Sequence, residues 1–104
     1  MKTSYAIEIA LDIRPTGCSI AETGRLERWL VKRGEAIEPN AALAVISLAT
    51  KQYELRTAFS GKVDLLQTEA GDRVHQGMAL LQITTETAPP SPAVRLVLRQ
   101  PDAA

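Results

Sequence analysis

With one histidine and one cysteine, this sequence has almost nothing from which to build a metal centre or a catalytic triad. A single imidazole cannot supply a His-based metal cluster, and a triad needs base, orienting group and nucleophile to converge. Cys18 is alone, which excludes an intrachain disulfide and a Cys-based zinc site. No histidine or basic cluster adjoins it, so it reads as a small loop residue rather than a reactive thiol. Net charge is absent too: twelve basic residues balance twelve acidic ones, and neither sign forms a run. A nucleic-acid groove or an anionic membrane surface therefore has no electrostatic support. No apolar run approaches the length of a membrane span, and MKTSYAIEIALDIR lacks a signal peptide's continuous apolar core. The expected location is cytoplasmic. Only four side chains are aromatic while 45% of residues are hydrophobic, so the core should be aliphatic.

What the chain does have is an internal repeat. Residues 24–46 and 61–83 align at an offset of 37 without a gap. Gly24 falls on Gly61, Gly34 on Gly71, Ala42 on Ala79, Leu43 on Leu80 and Ile46 on Ile83. Arg25/Lys62, Leu26/Val63, Glu27/Asp64, Glu35/Asp72 and Ile37/Val74 are conservative pairs between them. Two copies are too few for an open solenoid. In 104 residues they make one domain whose halves cover each other's apolar faces.

Along the chain, Tyr5–Leu11 alternates around Ile7, Ile9 and Leu11 and reads as a half-buried strand. Asp12–Thr23, with Pro15 and Gly17, reads as a long surface loop outside the repeat. Residues 24–34 could form a helix with Leu26, Trp29 and Leu30 on one face. Glycines at both ends and the strand-forming partner 62–68 favour a strand. A bulge near Arg28–Leu30 would turn both Leu26 and Val31 inward. Ile37 and Val74 read as single-residue anchors between turns at Gly34-Glu35/Gly71-Asp72 and Pro39-Asn40/Gln76-Gly77. Ala42–Leu48 and Ala79–Thr84 are short apolar strands. About seven or eight strands make an all-β sandwich or flattened β-barrel of two quasi-symmetric halves over residues 1–85. Residues 86–104 open with a Pro-rich stretch and read as a linker or tail, in which Val94–Arg99 could be a lone strand or the start of a helix.

No catalytic constellation emerges. His75, beside Gln76-Gly77, reads as a solvated turn residue, and Glu8 and Asp12 as surface charges. The glycines have turn spacing and none opens a helix, so no phosphate loop is present. What stands out is a hairpin between the copies. Val45–Leu48 and Tyr53–Thr57 flank the polar stretch Ala49-Thr50-Lys51-Gln52, and of the four lysines only Lys51 falls there. A hairpin-tip lysine is ordinarily soluble decoration, but its place between the repeats marks it as an attachment candidate.

These residues resemble the lipoyl/biotinyl carrier domain family, and the resemblance covers residues 5–84. Gly24-Arg-Leu-Glu-Arg-Trp-Leu-Val-Lys-Arg-Gly-Glu-Ala-Ile37 is similar to the family's G-x-I-x-x-W-L-V-K-x-G-D-x-V, and Trp29-Leu30-Val31-Lys32 leans to its lipoyl branch. Phe59-Ser60-Gly61 and Gly71-Asp72-Arg73-Val74-x-x-Gly77 match the second half. Ser91-Pro-Ala-Val-Arg95 resembles the opening of the peripheral subunit-binding domain in 2-oxo acid dehydrogenase acyltransferases.

The resemblance implies a barrel-sandwich hybrid without catalytic activity of its own, carrying covalent lipoate on a hairpin lysine as a swinging arm. Implied partners are a thiamine-dependent 2-oxo acid decarboxylase, an acyltransferase core, a flavin-containing dihydrolipoamide dehydrogenase and a lipoate ligase or transferase. Neither nucleic acid, membrane nor metal is expected. The family's E-T-D-K-A is replaced by Ser47-Leu48-Ala49-Thr50-Lys51, and a biotinyl A-M-K-M is missing. Counting from Gly34 or Gly61 puts the family's lysine on Thr50, one place before Lys51. Either the hairpin re-registers around Lys51, or the chain is an unmodified binding or assembly module with no cofactor.

Overall fold

Short apolar and half-apolar stretches form nine strands among the described residues. The computed structural model describes residues 4–90 and 92–99; Met1–Thr3, Ser91 of the tail motif and Gln100–Ala104 lie outside them. The strands are β1 (Tyr5–Ala10), β2 (Thr23–Trp29), β3 (Ala36–Ile37), β4 (Ala42–Leu48), β5 (Lys51–Thr57), β6 (Gly61–Leu66), β7 (Arg73–His75), β8 (Ala79–Thr85) and β9 (Val94–Leu98). They build two antiparallel sheets, ordered β1-β8-β6-β3 and β7-β2-β4-β5-β9. The all-β expectation holds, and 24–29 is a strand, not a helix.

The repeat is written directly into this topology. Adding 37 carries β2 onto β6, β3 onto β7 and β4 onto β8, while β5 lies beside β4 as β1 lies beside β8. Register shifts fall at equivalent places, between Leu26 and Arg28 and between Val63 and Leu65. The first lies slightly before the expected Arg28–Leu30. It does what the bulge was expected to do, since Leu26 and Val31 are both buried.

Equivalent residues also meet in the core. Leu26 and Val63, Leu43 and Leu80, and Ile46 and Ile83 are all fully buried, and Ile37 and Val74 are the expected anchors. Each buried side chain of this size contributes about 2 kcal/mol. Together they make a single aliphatic interior with no partner needed to cover either half. The second turns match as well: Asn40 takes a left-handed φ of 69° where its counterpart Gly77 has 84°. Asparagine tolerates that region better than other side-chain-bearing residues.

Two segments differ from expectation. The 12–23 stretch is not wholly a surface loop, because Ile13 is completely buried and a single 3-10 turn covers Arg14–Thr16. In the expected linker, Val94–Leu98 is neither a helix nor a lone strand. It pairs antiparallel with β5, Leu96 opposite Leu55 and Val94 opposite Thr57, and has no counterpart in the symmetric scheme.

Candidate functional site

Strands β4 and β5 form the hairpin that joins the two copies. Their register is Ile46↔Tyr53, Ser47↔Gln52 and Leu48↔Lys51, which leaves only Ala49 and Thr50 in the turn. Ala49 has a φ of 54°, whereas Thr50 has no positive φ. Positive φ at the first central residue alone is the type II′ pattern, whose twist suits an antiparallel pair. An L-residue with a side chain is strained there. Ala49→Gly should therefore stabilise the fold by about 0.5–1 kcal/mol, the strain relieved less the extra backbone entropy of glycine. Urea denaturation measures this, and a loss of stability would mean the turn is built differently.

Lys51 is thus the first residue of β5 rather than a tip residue; Thr50 holds the last turn position. Directly opposed residues in an antiparallel pair project to the same face. Leu48, opposite Lys51, is fully buried, as is Leu55 further along that face of β5, and Tyr53 between them is buried too. Lys51 itself is exposed. Its amine has no hydrogen bond or ion pair among the described residues.

The segment before β2 is pinned by the second copy. Gln76 accepts from the Ile13 amide at 2.7 Å and donates from Nε2 to Asp12 at 3.1 Å. Asp12 also receives Arg14 Nε at 2.9 Å. The Arg14 hydrogen bond is the main reason the Asp12 carboxyl is held well below the usual carboxylate range, with Gln76 adding to it. Gly17 closes the 3-10 turn at a φ of 82°. Cys18 packs partly against the core. Burial first, then the neighbouring Cys18 thiol, pushes the Tyr53 phenol above its ordinary value. Gln76, a residue that sequence reasoning passed over as mere turn, is therefore the clamp holding Asp12 and Ile13. Its only signal was its position in the turn beside Gly77.

His75 ends β7, is exposed, and has its Nδ1 3.1 Å from the Gln76 carbonyl. It is not brought to the hairpin amine: β7 and β5 lie on opposite sides of β2 and β4 in the sheet. Trp29 donates its indole N–H to the Thr68 carbonyl at 2.8 Å, tying the end of β2 to the segment after β6. Its role is therefore to fasten the two copies to each other.

Comparison with known proteins agrees with this geometry. A biotin/lipoyl family model, described as biotin-requiring enzyme, matches residues 15–83. The lipoamide acyltransferase component of the mitochondrial branched-chain alpha-keto acid dehydrogenase complex from Arabidopsis thaliana is 31% identical over 78 residues. That match covers 75% of this chain but only 16% of the relative's length.

Proposed function

The chain belongs to the biotinyl/lipoyl domain family, and we propose that it is a lipoyl carrier whose attachment amine is that of Lys51. The observation that supports this most is an exposed lysine, free of partners among the described residues, at the inter-repeat hairpin of a scaffold of this family. Lipoate rather than biotin is favoured by the Trp29-Leu30-Val31-Lys32 motif and by similarity to a lipoamide acyltransferase component. An amide between the lipoate carboxyl and Lys51 Nζ, made by a ligase or transferase, would complete the carrier.

The lipoyl group supplies the redox-active disulfide that takes up an acyl unit. The chain's share is positional. A rigid two-sheet body holds the hairpin still, while the flexible lysine stem gives the arm its sweep. Tethering then raises the effective concentration of the carried group at each partner's active site. By analogy with the relative, those partners would be the 2-oxo acid decarboxylase, acyltransferase core and dihydrolipoamide dehydrogenase of such a complex.

A second reading rests on one specific observation. Thr50, not Lys51, takes the turn position at which the family presents its lysine, and no acid flanks it. On that reading the chain is an unmodified binding or assembly module. Intact mass after co-expression with a lipoate ligase separates the two. The carrier predicts an adduct on the wild type that vanishes in Lys51→Ala. An unmodified mass, under conditions that label an established lipoyl domain, would establish the module instead.

A further inference from the structure

Formal neutrality conceals a lopsided distribution of charge. Strand alternation puts Arg25, Arg28, Arg56, Arg73, Arg95 and Arg99 on the outer face of the five-stranded sheet. The five strands of that sheet carry only two acids, Glu27 and Glu54. Glu54 is already committed to Arg56 at 2.5 Å and Arg99 at 3.4 Å. Arg95 donates to the Asn40 side-chain oxygen at 2.8 Å. Glu27 accepts the Ser47 hydroxyl at 2.7 Å. Arg25, Arg28 and Arg73 are left exposed, with no hydrogen bond or carboxylate partner among the described residues.

Two of these three face each other. Arg25 lies directly opposite Arg73 across β2 and β7, so their backbones are about 5 Å apart. Like charges so placed are destabilising. The one acid on these two strands, Glu27, is held by the Ser47 hydroxyl and forms no ion pair with either arginine among the described residues. Between them is an open depression of about 320 Å³ bounded by Thr23, Gly24, Arg25, Ser47, Ala49 and Arg73. It adjoins the hairpin turn through Ala49.

We propose that this face docks an acidic polypeptide segment of a partner protein, with one carboxylate seated between Arg25 and Arg73 and another reaching Arg28. Guanidinium groups bind carboxylates bidentately, and two on adjacent strands make a fork that a single lysine pair could not. Spread of the unpartnered cations along the sheet favours an extended acidic chain over one small anion. Trp29 and Tyr53 turn to the other side of these strands and pack with the core, leaving no platform on which bases could stack. Binding should be modest in strength and weaken with salt. It does not depend on whether Lys51 carries a cofactor.

Fluorescence anisotropy with a labelled poly-glutamate peptide and the whole chain tests the proposal. Saturable binding at low ionic strength is expected, weakened at least about ten-fold in Arg25→Gln/Arg73→Gln because two guanidinium–carboxylate hydrogen-bonded pairs are lost. Lys62→Gln, on the opposite sheet, should leave it unchanged. The double variant should melt no lower than the wild type, since it removes opposed like charges, which separates lost docking from lost fold. No binding, or equal weakening by Lys62→Gln, would overturn the proposal. So would displacement of the peptide by inorganic phosphate or oligothymidine more effectively than by unlabelled peptide at equal charge, which would reassign the face to small anions or nucleic acid.

Discussion

Gly24→Ala should cost about 3 kcal/mol of stability, and Gly61→Ala a similar amount, although each adds a single methyl group. These glycines sit at equivalent places of the repeat, where each central strand approaches its neighbour most closely. A Cβ on Gly24 would overlap the Ser47 carbonyl oxygen and lie 2.6 Å from the Leu48 side chain. On Gly61 it would lie 2.6 Å from the Thr84 carbonyl oxygen and 2.9 Å from Ile83. Backbone oxygens in a paired strand cannot retreat without opening the pair. The damage would spread into Leu48 or Ile83, both fully buried. For a domain of this size, about 3 kcal/mol is a large share of the total.

Gly17→Ala is the contrast. Nothing lies near its added methyl, and only its φ of 82° resists the change, so about 1 kcal/mol is expected. Urea midpoints of the three variants at equal slope decide the matter. A Gly24→Ala cost no larger than that of Gly17→Ala would mean that β2 and β4 do not approach so closely.

Thr50→Lys combined with Lys51→Ala should be lipoylated at least about ten-fold faster than the wild type, a gain of the order expected when a reacting group is correctly positioned. The reason is direction, not chemistry. A turn residue projects away from both sheets, whereas Lys51 leaves β5 on the face shared with Leu48 and Tyr53. Shifting an amine by one residue along a strand moves it to the opposite face. Initial rates with a lipoate ligase, followed by intact mass, provide the comparison. A double variant modified more slowly than the wild type would show that the ligase reads position 51 in this hairpin.

Much of the scaffold could be read from the chain before any coordinates, because a duplicated sequence repeats its constraints. Gly24/Gly61, Leu26/Val63, Ile37/Val74 and Ile46/Ile83 each state the same requirement twice, so strands, anchors and second turns followed from comparing the copies. Where only one copy exists, that check fails. β9 has no counterpart, and five mostly apolar residues after a Pro-rich stretch do not say which sheet edge will take them. Ile13 reads as loop because the group that holds its amide, Gln76, is far away in sequence.

The hairpin itself was legible as a hairpin but not in detail. Four residues between two apolar stretches do not reveal that only Ala49 and Thr50 turn, while Lys51 and Gln52 already pair with Leu48 and Ser47. The arginine-rich face was hidden for a related reason. Arg25, Arg73 and Arg95 come from distant segments, and only the β7-β2-β4-β5-β9 order collects them. A linear scan for charge runs is blind to such gathering.

Fragmentation mass spectrometry of the ligase-treated wild type would put the functional claim at greatest risk. Added lipoyl mass should first enter the N-terminal fragment series at residue 51 and be absent from fragments ending at Thr50. Mass on Lys2, Lys32 or Lys62 instead, or on no lysine at all, would contradict it.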